Sequence, residues 1–369
     1  MDLKYSDEQI LLREQIQKFC ISDYDFYDRE KHVHSDLGYD QNKWKLFADQ
    51  GWLAMPFSEE EGGFNFGAIE LCIMFEEFGK HLVLEPYLSN IVLSGFILDQ
   101  SSYSMKSNYI SGLISGNSQI SLAYVEESRT YDHLSILTSV ENNKLNGTKN
   151  LVLNGSNADN FLVTVMIDDE FSLIVMRNDE DGLSINNFKT VDDKNISQLS
   201  FDNVTINPDQ IIAKGDEAKR LLQDALYYAA LCISAEAIGC MTACYEKTVE
   251  YTKGREQFGQ PISNFQVLQH RMVDMFIDTE LCKSLLFKAM LDMHENNNSK
   301  YRSISALKHH VGVLGKKIAE ESVQLHGGMG VSEEMSIGHY LKKFIVIDSQ
   351  FGNSKYHLTQ FKNIDERSK

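Results

Sequence analysis

The stretch Arg255-Glu-Gln-Phe-Gly-Gln-Pro-Ile-Ser-Asn-Phe-Gln266 separates two long helical patterns, and the rest of the chain can be placed around it. A turn is predicted at Gly259-Gln-Pro261, because glycine and proline interrupt helices. Ser263 or Asn264 is predicted to cap the helix that follows, since both side chains accept hydrogen bonds from a helix N-terminus. An arginine beside such a turn offers a planar, bidentate grip on phosphate oxygens. The stretch therefore predicts an anion-binding group between two helices, although a simple helix stop explains the turn as well.

A second stretch, Gln324-Leu-His-Gly-Gly-Met-Gly330, follows another helical pattern. Paired glycines after a helix let backbone N–H groups approach a ligand closely. The alternative is structural, because glycine after a helix is commonly a C-cap. Taken together, the arginine turn and the paired glycines are interpreted as the two ends of a dinucleotide-binding site.

Composition limits the classes of protein to which the chain can belong. Its 369 residues are too many for one ordinary hydrophobic core, so two or three domains are expected. The net charge of −18 argues against nucleic acid or an anionic membrane as the partner, and any anionic ligand needs a local basic group. The 6 cysteines lack metal-site spacing, which indicates buried, reduced thiols. Because no signal sequence or membrane-spanning apolar run is present, a cytoplasmic protein without a membrane span is expected.

The spacing of apolar residues changes twice along the chain and predicts three domains. Helical periodicity predicts an N-terminal helical domain over residues 1–118, with a capping box at Ser6-Asp-Glu-Gln9 and a second helix beginning after Asp40. Short β-rich runs predict a small antiparallel β domain over residues 119–213. Helical patterns return over residues 214–369 and predict a C-terminal four-helix bundle. The expected fold class is therefore mainly α with a central β domain.

Three local signals refine this prediction. Leu134–Thr138 is predicted to be one of the strands, because it is rich in residues that favour extended structure. Asn146-Gly147 and Asn154-Gly155 are typical of hairpin turns between strands. Small residues in the first helix of the bundle, Gly239 among them, indicate that a neighbouring helix approaches closely.

The two glycine-containing stretches together resemble the acyl-CoA dehydrogenase family. The shared pattern is Arg-x-Gln-Phe-Gly-x-Pro-Ile-x-x-Phe-Gln, then a helix pair, then Gln-Leu-x-Gly-Gly-x-Gly with Glu334 following. The likeness runs from the first helix to the end of the chain and implies the same three-domain fold. Small subunits of the pimeloyl-CoA dehydrogenase type share four further stretches, which are Leu82-Val-Leu-Glu-Pro-Tyr87, Gln269-His270, Val273-Asp-Met-Phe276 and His339-Tyr340.

The resemblance implies an enzyme that binds FAD, removes an α-proton from an acyl-CoA with a carboxylate and passes the β-hydrogen to the flavin as hydride. In the family, one subunit contributes an arginine, a phenylalanine and a glycine pair to the FAD held by its neighbour. The matching residues in this chain are all present, and they are Arg255, Gln257, Phe258, Gln266, Gln324, Gly327 and Gly328.

The half of the site that would hold the flavin ring matches poorly. Glu127 stands where family members place a threonine hydroxyl, and the glycine-rich loop after it is absent. Leu151-Val-Leu153 replaces the family's Trp-x-Thr, so the hydrogen bond near flavin N5 is lost. Phe351 stands in the usual position of the catalytic glutamate. The helix that carries the glutamate in other members holds only Asp224, about five residues away, so the catalytic base is unassigned.

These matches favour one subunit of a heteromeric acyl-CoA dehydrogenase, with two copies each of two related chains. Pimeloyl-CoA-like and steroid side-chain acyl-CoAs are the substrate classes that the resemblance suggests, with an electron-transferring flavoprotein as the electron acceptor. One alternative is a homomeric flavoenzyme with Glu127 or Asp224 as an unorthodox base, which could extend to oxygen-dependent flavin oxidation. Another is a flavin-free structural paralogue. His326 and the pair His309-His310 are predicted to be packed or solvated rather than catalytic.

Overall fold

A computed structural model describes residues 5–126 and 131–367 of the chain. The chain forms two compact units, the first from residues 1–30, 67–83 and 230–369 and the second from residues 31–66 and 84–229. The α-helices among the described residues are α1 (Asp7–Asp23), α2 (Phe26–Val33), α3 (Gln41–Asp49), α4 (Ala68–His81), α5 (Phe96–Gln100), α6 (Lys106–Ile114), α7 (Gly215–Gly254), α8 (Gln266–His294), α9 (Lys300–His310), α10 (Lys316–His326), α11 (Ser336–Ser349) and α12 (Ser354–Arg367). The helical character of the N-terminal and C-terminal regions was predicted, but α2, α5 and α6 were not predicted as individual helices.

Side-chain caps begin two of these helices as predicted. Ser6 Oγ accepts a hydrogen bond from Gln9 N at 3.2 Å, while Ser6 N donates to Gln9 Oε1 at 3.0 Å. This reciprocal pair is the capping box that starts α1. Asp40 caps α3 by accepting a hydrogen bond from Asn42 N at 2.9 Å. Both predicted helix starts are confirmed.

Glycines allow α4 and α7 to approach closely within the first unit. A Cβ atom on Gly239 would lie 1.9 Å from the carbonyl oxygen of Glu76, and one on Gly79 would lie 1.9 Å from that of Glu236. Any larger residue at either position would push the helices apart. The close approach predicted at Gly239 is confirmed, and it is a packing contact.

The second unit contains a mixed β-sheet. Its strands are β1 (Ile120–Ala123), β2 (Ser139–Glu141), β3 (Lys144–Leu153), β4 (Asn160–Ile167), β5 (Glu170–Arg177), β6 (Leu183–Lys189), β7 (Asn195–Thr205) and β8 (Ile211–Lys214). Neighbours follow the order β6-β7-β3-β2-β4-β5-β8, with β1 also paired to β4. Pairing is antiparallel, as predicted, except that β1 and β2 each run parallel to β4. Strands β4 and β5 are buried over most of their length and form the core of this unit.

Three local predictions within the sheet are wrong. Leu134–Thr138 forms no strand, because the extended segment begins at Ser139. Asn146-Gly147 lies inside β3 at a register shift, where Gly147 has φ 139° and a Cβ would clash with Thr138 at 2.7 Å. Asn154-Gly155 follows β3 but joins it to β4, with which β3 does not pair. Gly147 therefore lies at a strand irregularity, and both Gly147 and Gly155 are required by a close contact rather than by a hairpin turn.

One helix in the described part of the chain is long and apolar enough to cross a membrane. This helix is α7, which has 40 residues, and 89% of its most apolar 18-residue segment is buried within the protein. Burial of this kind is typical of the core helix of a soluble protein.

Candidate functional site: an exposed arginine hairpin and an open glycine turn

The segment after α7 forms a two-residue β-hairpin in the first unit. Two short antiparallel strands, Glu256–Gln257 (β9) and Gln260–Pro261 (β10), enclose Phe258 and Gly259. These two residues have φ angles of 57° and 80°, as the centre of a type I′ turn requires. Glycine adopts this conformation without strain, whereas phenylalanine is a rare occupant. A turn forms here as predicted, but its tip is Phe258-Gly259, whereas Gln260 and Pro261 of the predicted turn belong to β10.

The start of α8 differs from the prediction. The helix begins at Gln266 and its N-cap residue is Phe265, which has no side-chain oxygen to accept a hydrogen bond. Ser263 and Asn264 lie one turn earlier, in a short 3-10 helix. Gln269 Nε2 donates to the backbone oxygen of Ser263 at 2.8 Å, so Ser263 contacts α8 through its main chain and not through a capping side chain. Capping of α8 by Ser263 or Asn264 is therefore wrong.

The hairpin presents a cation and an aromatic ring to the surroundings. Arg255 is exposed, and its guanidinium forms no ion pair or hydrogen bond with any residue that the structure describes. The ring of Phe258 is 91% exposed, and its only ring contact among described residues is an edge contact with Phe265 at 6.1 Å. Gln257 and Gln266 are exposed on either side. In a chain of net charge −18, an arginine without a counter-ion is a local attraction for anions.

The glycine turn after α10 is open to ligands in the same unit. Gly327 has φ 60°, and a Cβ atom on Gly327 or Gly328 would meet no heavy atom within 4 Å. Gly330 differs, since a Cβ there would lie 2.6 Å from a carbonyl oxygen of α10. Gln324 is exposed on the last turn of α10. The paired glycines thus leave their backbone accessible, while the third glycine is needed for packing.

Two contacts tie the hairpin and the glycine turn to each other. Arg271 Nε of α8 donates to Glu321 Oε2 of α10 at 2.6 Å. Tyr251, in the last turn of α7, stacks on His326, the last residue of α10, with ring centroids 4.2 Å apart. His326, which was predicted to be either packed or solvated, is packed. Contacts within the first unit therefore connect the helices next to the arginine hairpin with the helix that leads to the glycine pair, two stretches that were separate in the sequence.

In the second unit, strand β3 carries the residues that the resemblance assigns to the flavin ring. Leu151 has φ 52° at a register shift, and its side chain is 57% exposed. Leu153 is half-buried at the end of the strand. Neither side chain has a hydrogen-bond donor. Glu127, to which the sequence analysis also pointed, lies outside the described residues.

Beside this strand a buried ion pair fixes the segment that leads to Glu127. Lys149 Nζ donates to Glu126 Oε1 at 2.7 Å and to Thr164 Oγ1 at 2.9 Å. Burial raises the pKa of Glu126, but hydrogen bonds from Lys149, Thr138 Oγ1 and Leu137 N outweigh it and hold the pKa below its usual value. Burial lowers the pKa of Lys149 to about 8. The pair is structural, and the sequence analysis missed it.

The position that the resemblance assigns to the catalytic base holds no titratable group. Phe351 is 7% exposed and lies in the turn between α11 and α12 with φ 56°. Gly352, with φ 102°, completes this turn. Asp224, the other acid considered, belongs to the second unit, where Arg220 Nη1 lies 3.5 Å from its carboxylate. A phenylalanine cannot accept a proton, so this turn cannot supply the base.

The side chains of Lys308 and His357 contact backbone oxygens in and beside the turn that contains Phe351. Lys308 is fully buried, and its Nζ donates to the carbonyl oxygens of Ile347 at 2.8 Å and Gly352 at 2.9 Å. Burial lowers the pKa of Lys308 to about 8. His357 Nε2 lies 2.9 Å from the carbonyl oxygen of Phe351, and burial, with Lys308 nearby, lowers the pKa of His357 to about 3. The sequence signal for Lys308 was its place on the apolar face of α9, beside Leu307.

Bulky residues with left-handed backbone conformations occur in the hairpin, in β3 and in the turn between α11 and α12. Among the described residues, four with positive φ are neither glycine, asparagine nor aspartate, and they are Leu82, Leu151, Phe258 and Phe351. Such a conformation costs a bulky residue about 1–2 kcal/mol. Strained backbone of this kind concentrates at functional sites. All four belong to stretches on which the resemblance to the family was argued.

Comparisons with known proteins agree with this geometry. The profile for the acyl-CoA dehydrogenase N-terminal domain matches residues 6–117, and the one for the acyl-CoA dehydrogenase C-terminal domain matches residues 220–362. "Probable acyl-CoA dehydrogenase YngJ" of Bacillus subtilis is 23% identical, over 96% of this chain and 97% of that protein.

Two solved structures share the fold. "PigA with FAD and proline" superposes with a TM-score of 0.92 at 22% identity, over 100% of both chains. A chain of the ChsE4-ChsE5 complex from Mycobacterium tuberculosis superposes with a TM-score of 0.90 at 20% identity, over 98% of both chains. Because the two family profiles match well over half of the sequence, the chain belongs to the acyl-CoA dehydrogenase family and is an oxidoreductase of that kind.

Proposed function

We propose that this chain is one subunit of a heteromeric acyl-CoA dehydrogenase. Its arginine hairpin and glycine turn complete an FAD site on a related partner subunit, and the partner supplies the catalytic carboxylate. The observation that carries the proposal is the contrast between two places in the first unit. The side chains of Arg255 and Phe258 are exposed and form no hydrogen bond or ion pair with the described residues, whereas Phe351 fills the position of the base with a buried hydrocarbon ring.

The exposed residues fit the diphosphate and adenosine part of FAD. Arg255 offers a planar pair of donors to phosphate oxygens, and the open backbone at Gly327 and Gly328 offers N–H groups. The Phe258 ring provides a flat apolar surface for adenine, and the amides of Gln257 and Gln324 provide polar contacts. FAD is the cofactor in the PigA structure, and it is the cofactor that we assign to this site.

The residues near the flavin ring fit less well. Leu153 cannot replace a threonine hydroxyl as a donor, and a buried polar atom left without a partner costs about 1–3 kcal/mol. Loss of a general base costs on the order of 10² to 10⁴ in rate. FAD, when bound in the partner's site, would supply the hydride acceptor for the β-hydrogen of the acyl chain. This chain then contributes binding and orientation, and no described residue of its own takes the α-proton.

An exposed apolar stripe on α8 supports an association with another subunit. Val273, Ile277 and Leu281 are spaced four residues apart, so they share one face of the helix, and each is about half exposed. Large exposed apolar surface of this kind commonly marks a protein interface. Because α8 follows the hairpin in the chain, a subunit packed on this stripe would contact the helix that comes directly after the segment carrying Arg255 and Phe258. The ChsE4-ChsE5 complex is an example of this fold in a pair of unlike chains.

The substrate class that accompanies such pairs is an acyl-CoA with a large or dicarboxylic acyl group. Pimeloyl-CoA-like and steroid side-chain acyl-CoAs are the candidates. We expect two copies of each chain in the assembly and an electron-transferring flavoprotein as the electron acceptor.

Purification of the chain alone and with an adjacent dehydrogenase-like partner tests the proposal. Alone, the chain should contain little flavin and should not turn over acyl-CoA. With the partner, roughly one FAD per pair of unlike chains should appear, together with acyl-CoA-dependent bleaching of the flavin. Full flavin content and turnover by the chain alone would favour the homomeric alternative, with Glu127 or Asp224 as the base. A colourless complex would leave only the structural paralogue.

A further inference from the structure

The contact between Tyr251 and His326 has a geometry that joins the two halves of the dinucleotide site. The two rings are nearly parallel, with an interplanar angle of 26° and a centroid separation of 4.2 Å. Tyr251 Oη also donates a hydrogen bond to the backbone oxygen of His326 at 3.2 Å. Ring stacking and a hydrogen bond to the main chain therefore hold the same pair of residues from two directions.

Each of these residues is bonded to one half of the site. Arg255 N donates to the backbone oxygen of Tyr251 at 2.9 Å, so the start of the hairpin follows the position of this helical turn. Gly327 is the residue after His326, so the glycine turn follows the position of its backbone. A shift of either ring thus changes the separation between the guanidinium and the glycine N–H groups.

The orientation of the His326 ring is itself fixed. Its Nδ1 lies 2.8 Å from the backbone oxygen of Ser322. A carbonyl oxygen can only accept, so Nδ1 carries the proton and Nε2 has the lone pair. The side chain is 3% exposed, and Nε2 has no hydrogen-bond partner among the described residues. Burial lowers the pKa of His326, which keeps the ring neutral and suited to stacking.

We propose that Tyr251 and His326 are positioning residues that set the spacing between Arg255 and the Gly327-Gly328 turn for a diphosphate. The inference rests on the proposed FAD site. A diphosphate carries two charged groups at a fixed separation, and simultaneous contact requires donors at a matching separation. Arg255 provides one set of donors and the glycine turn the other, and the stacked pair connects them.

Nucleotide binding to the complex of this chain with its partner, freed of flavin, tests the proposal. ADP and FAD are titrated calorimetrically into the complex that contains the wild-type chain, Tyr251→Phe or Tyr251→Leu. Tyr245→Phe is the matched control, because Tyr245 lies on the same helix and its hydroxyl has no hydrogen bond in the described structure. Loss of one neutral hydrogen bond corresponds to about a 3- to 10-fold change in Kd. The expected result is such a weakening for Tyr251→Phe, a larger one for Tyr251→Leu and none for the control.

A double-mutant cycle separates positioning from a general loss of stability. In an Arg255→Ala background, Tyr251→Phe should change the Kd of ADP by less than about 2-fold, because the spacing no longer matters without the guanidinium. An undiminished effect in that background, or no effect beside an intact Arg255, would overturn the positioning role. Arg255→Ala alone tests the proposed FAD site: if it leaves ADP binding unchanged, the site itself is wrong, whatever Tyr251 does.

Discussion

Replacement of Arg255 by alanine should abolish most of the affinity for FAD while leaving the fold intact. The side chain is exposed and forms no contact with a polar group in the described residues, so its loss removes no interaction from this chain. Surface substitutions of this kind change the free energy of unfolding by less than about 0.5 kcal/mol. Any large effect must therefore come from a ligand or a partner subunit.

The expected increase in the Kd of FAD follows from the hydrogen bonds that the Arg255 guanidinium can make. A hydrogen bond to a charged partner contributes about 1.5–3 kcal/mol, and a guanidinium can make two such bonds to one phosphate. Even one such bond, at about 1.4 kcal/mol for each factor of ten, corresponds to about a 10- to 150-fold increase in the Kd of FAD in the heteromer, which is therefore the smallest increase expected for the alanine variant. Arg255→Lys keeps the charge but not the planar fork, so about a 5- to 10-fold increase is expected.

Flavin release from the purified complex, followed by fluorescence at several salt concentrations, measures this Kd. Lys253→Ala is the matched control, because it removes the same charge two residues away. Lys253 is paired with Glu250 at 2.7 Å, and its side chain is 59% exposed, so its charge has another partner. Equal Kd values for the Arg255 and Lys253 alanine variants would refute the assignment of Arg255 to the phosphate site.

Three further changes test separate parts of the structure. Phe258→Ala should leave the melting temperature unchanged, since the ring is 91% exposed, yet weaken FAD binding by about 3- to 10-fold; a melting temperature lowered by several degrees would contradict this. His357 has a pKa of about 3 in the folded protein, against an ordinary value of 6.5, so the unfolded chain binds the proton at a higher pH than the folded protein does. The free energy of unfolding should therefore fall by up to about 1.4 kcal/mol per pH unit as the pH drops from 6.5 towards 3. Urea unfolding at several pH values should show a flatter profile for His357→Gln, and an unchanged profile would exclude this residue as the cause. Lys308→Met should destabilise the protein by about 2–4 kcal/mol in urea unfolding, because buried carbonyl oxygens lose their donor. Lys355→Met, at an exposed position, should have no effect on the free energy of unfolding. Similar losses for both variants would refute the role of Lys308.

Residues for a dinucleotide site could be proposed from the sequence because the chemistry that they offer depends on local patterns. A turn needs glycine next to it, and a phosphate needs an arginine or open backbone, so Arg255, Phe258 and the glycine pair are visible in the chain itself. Helix starts at Ser6 and Asp40 were equally local, since the capping side chain and the backbone it bonds lie within three residues. These predictions needed no knowledge of tertiary contacts.

Predictions that depended on tertiary contacts failed or were missing. Gly147 resembles a hairpin turn in sequence, but it is required by the close approach of Thr138, the residue that precedes β2. The buried pair of Lys149 and Glu126 joins residues 23 positions apart, which no periodic pattern shows. Lys308 likewise donates to carbonyl groups some forty residues away. Such contacts are decided by how the elements pack, and a single sequence does not contain that information.

The proposed division of the cofactor gives the adenosine and diphosphate end of FAD to this chain and the ring to the partner. Two photoreactive forms of FAD test it most directly, one with an azide on adenine and one with an azide on the isoalloxazine ring. After illumination of the heteromer, mass spectrometry should place the adenine label on the peptide of this chain that contains Phe258, and the ring label on the partner. A ring label on the strand that carries Leu151 and Leu153 of this chain would contradict the claim.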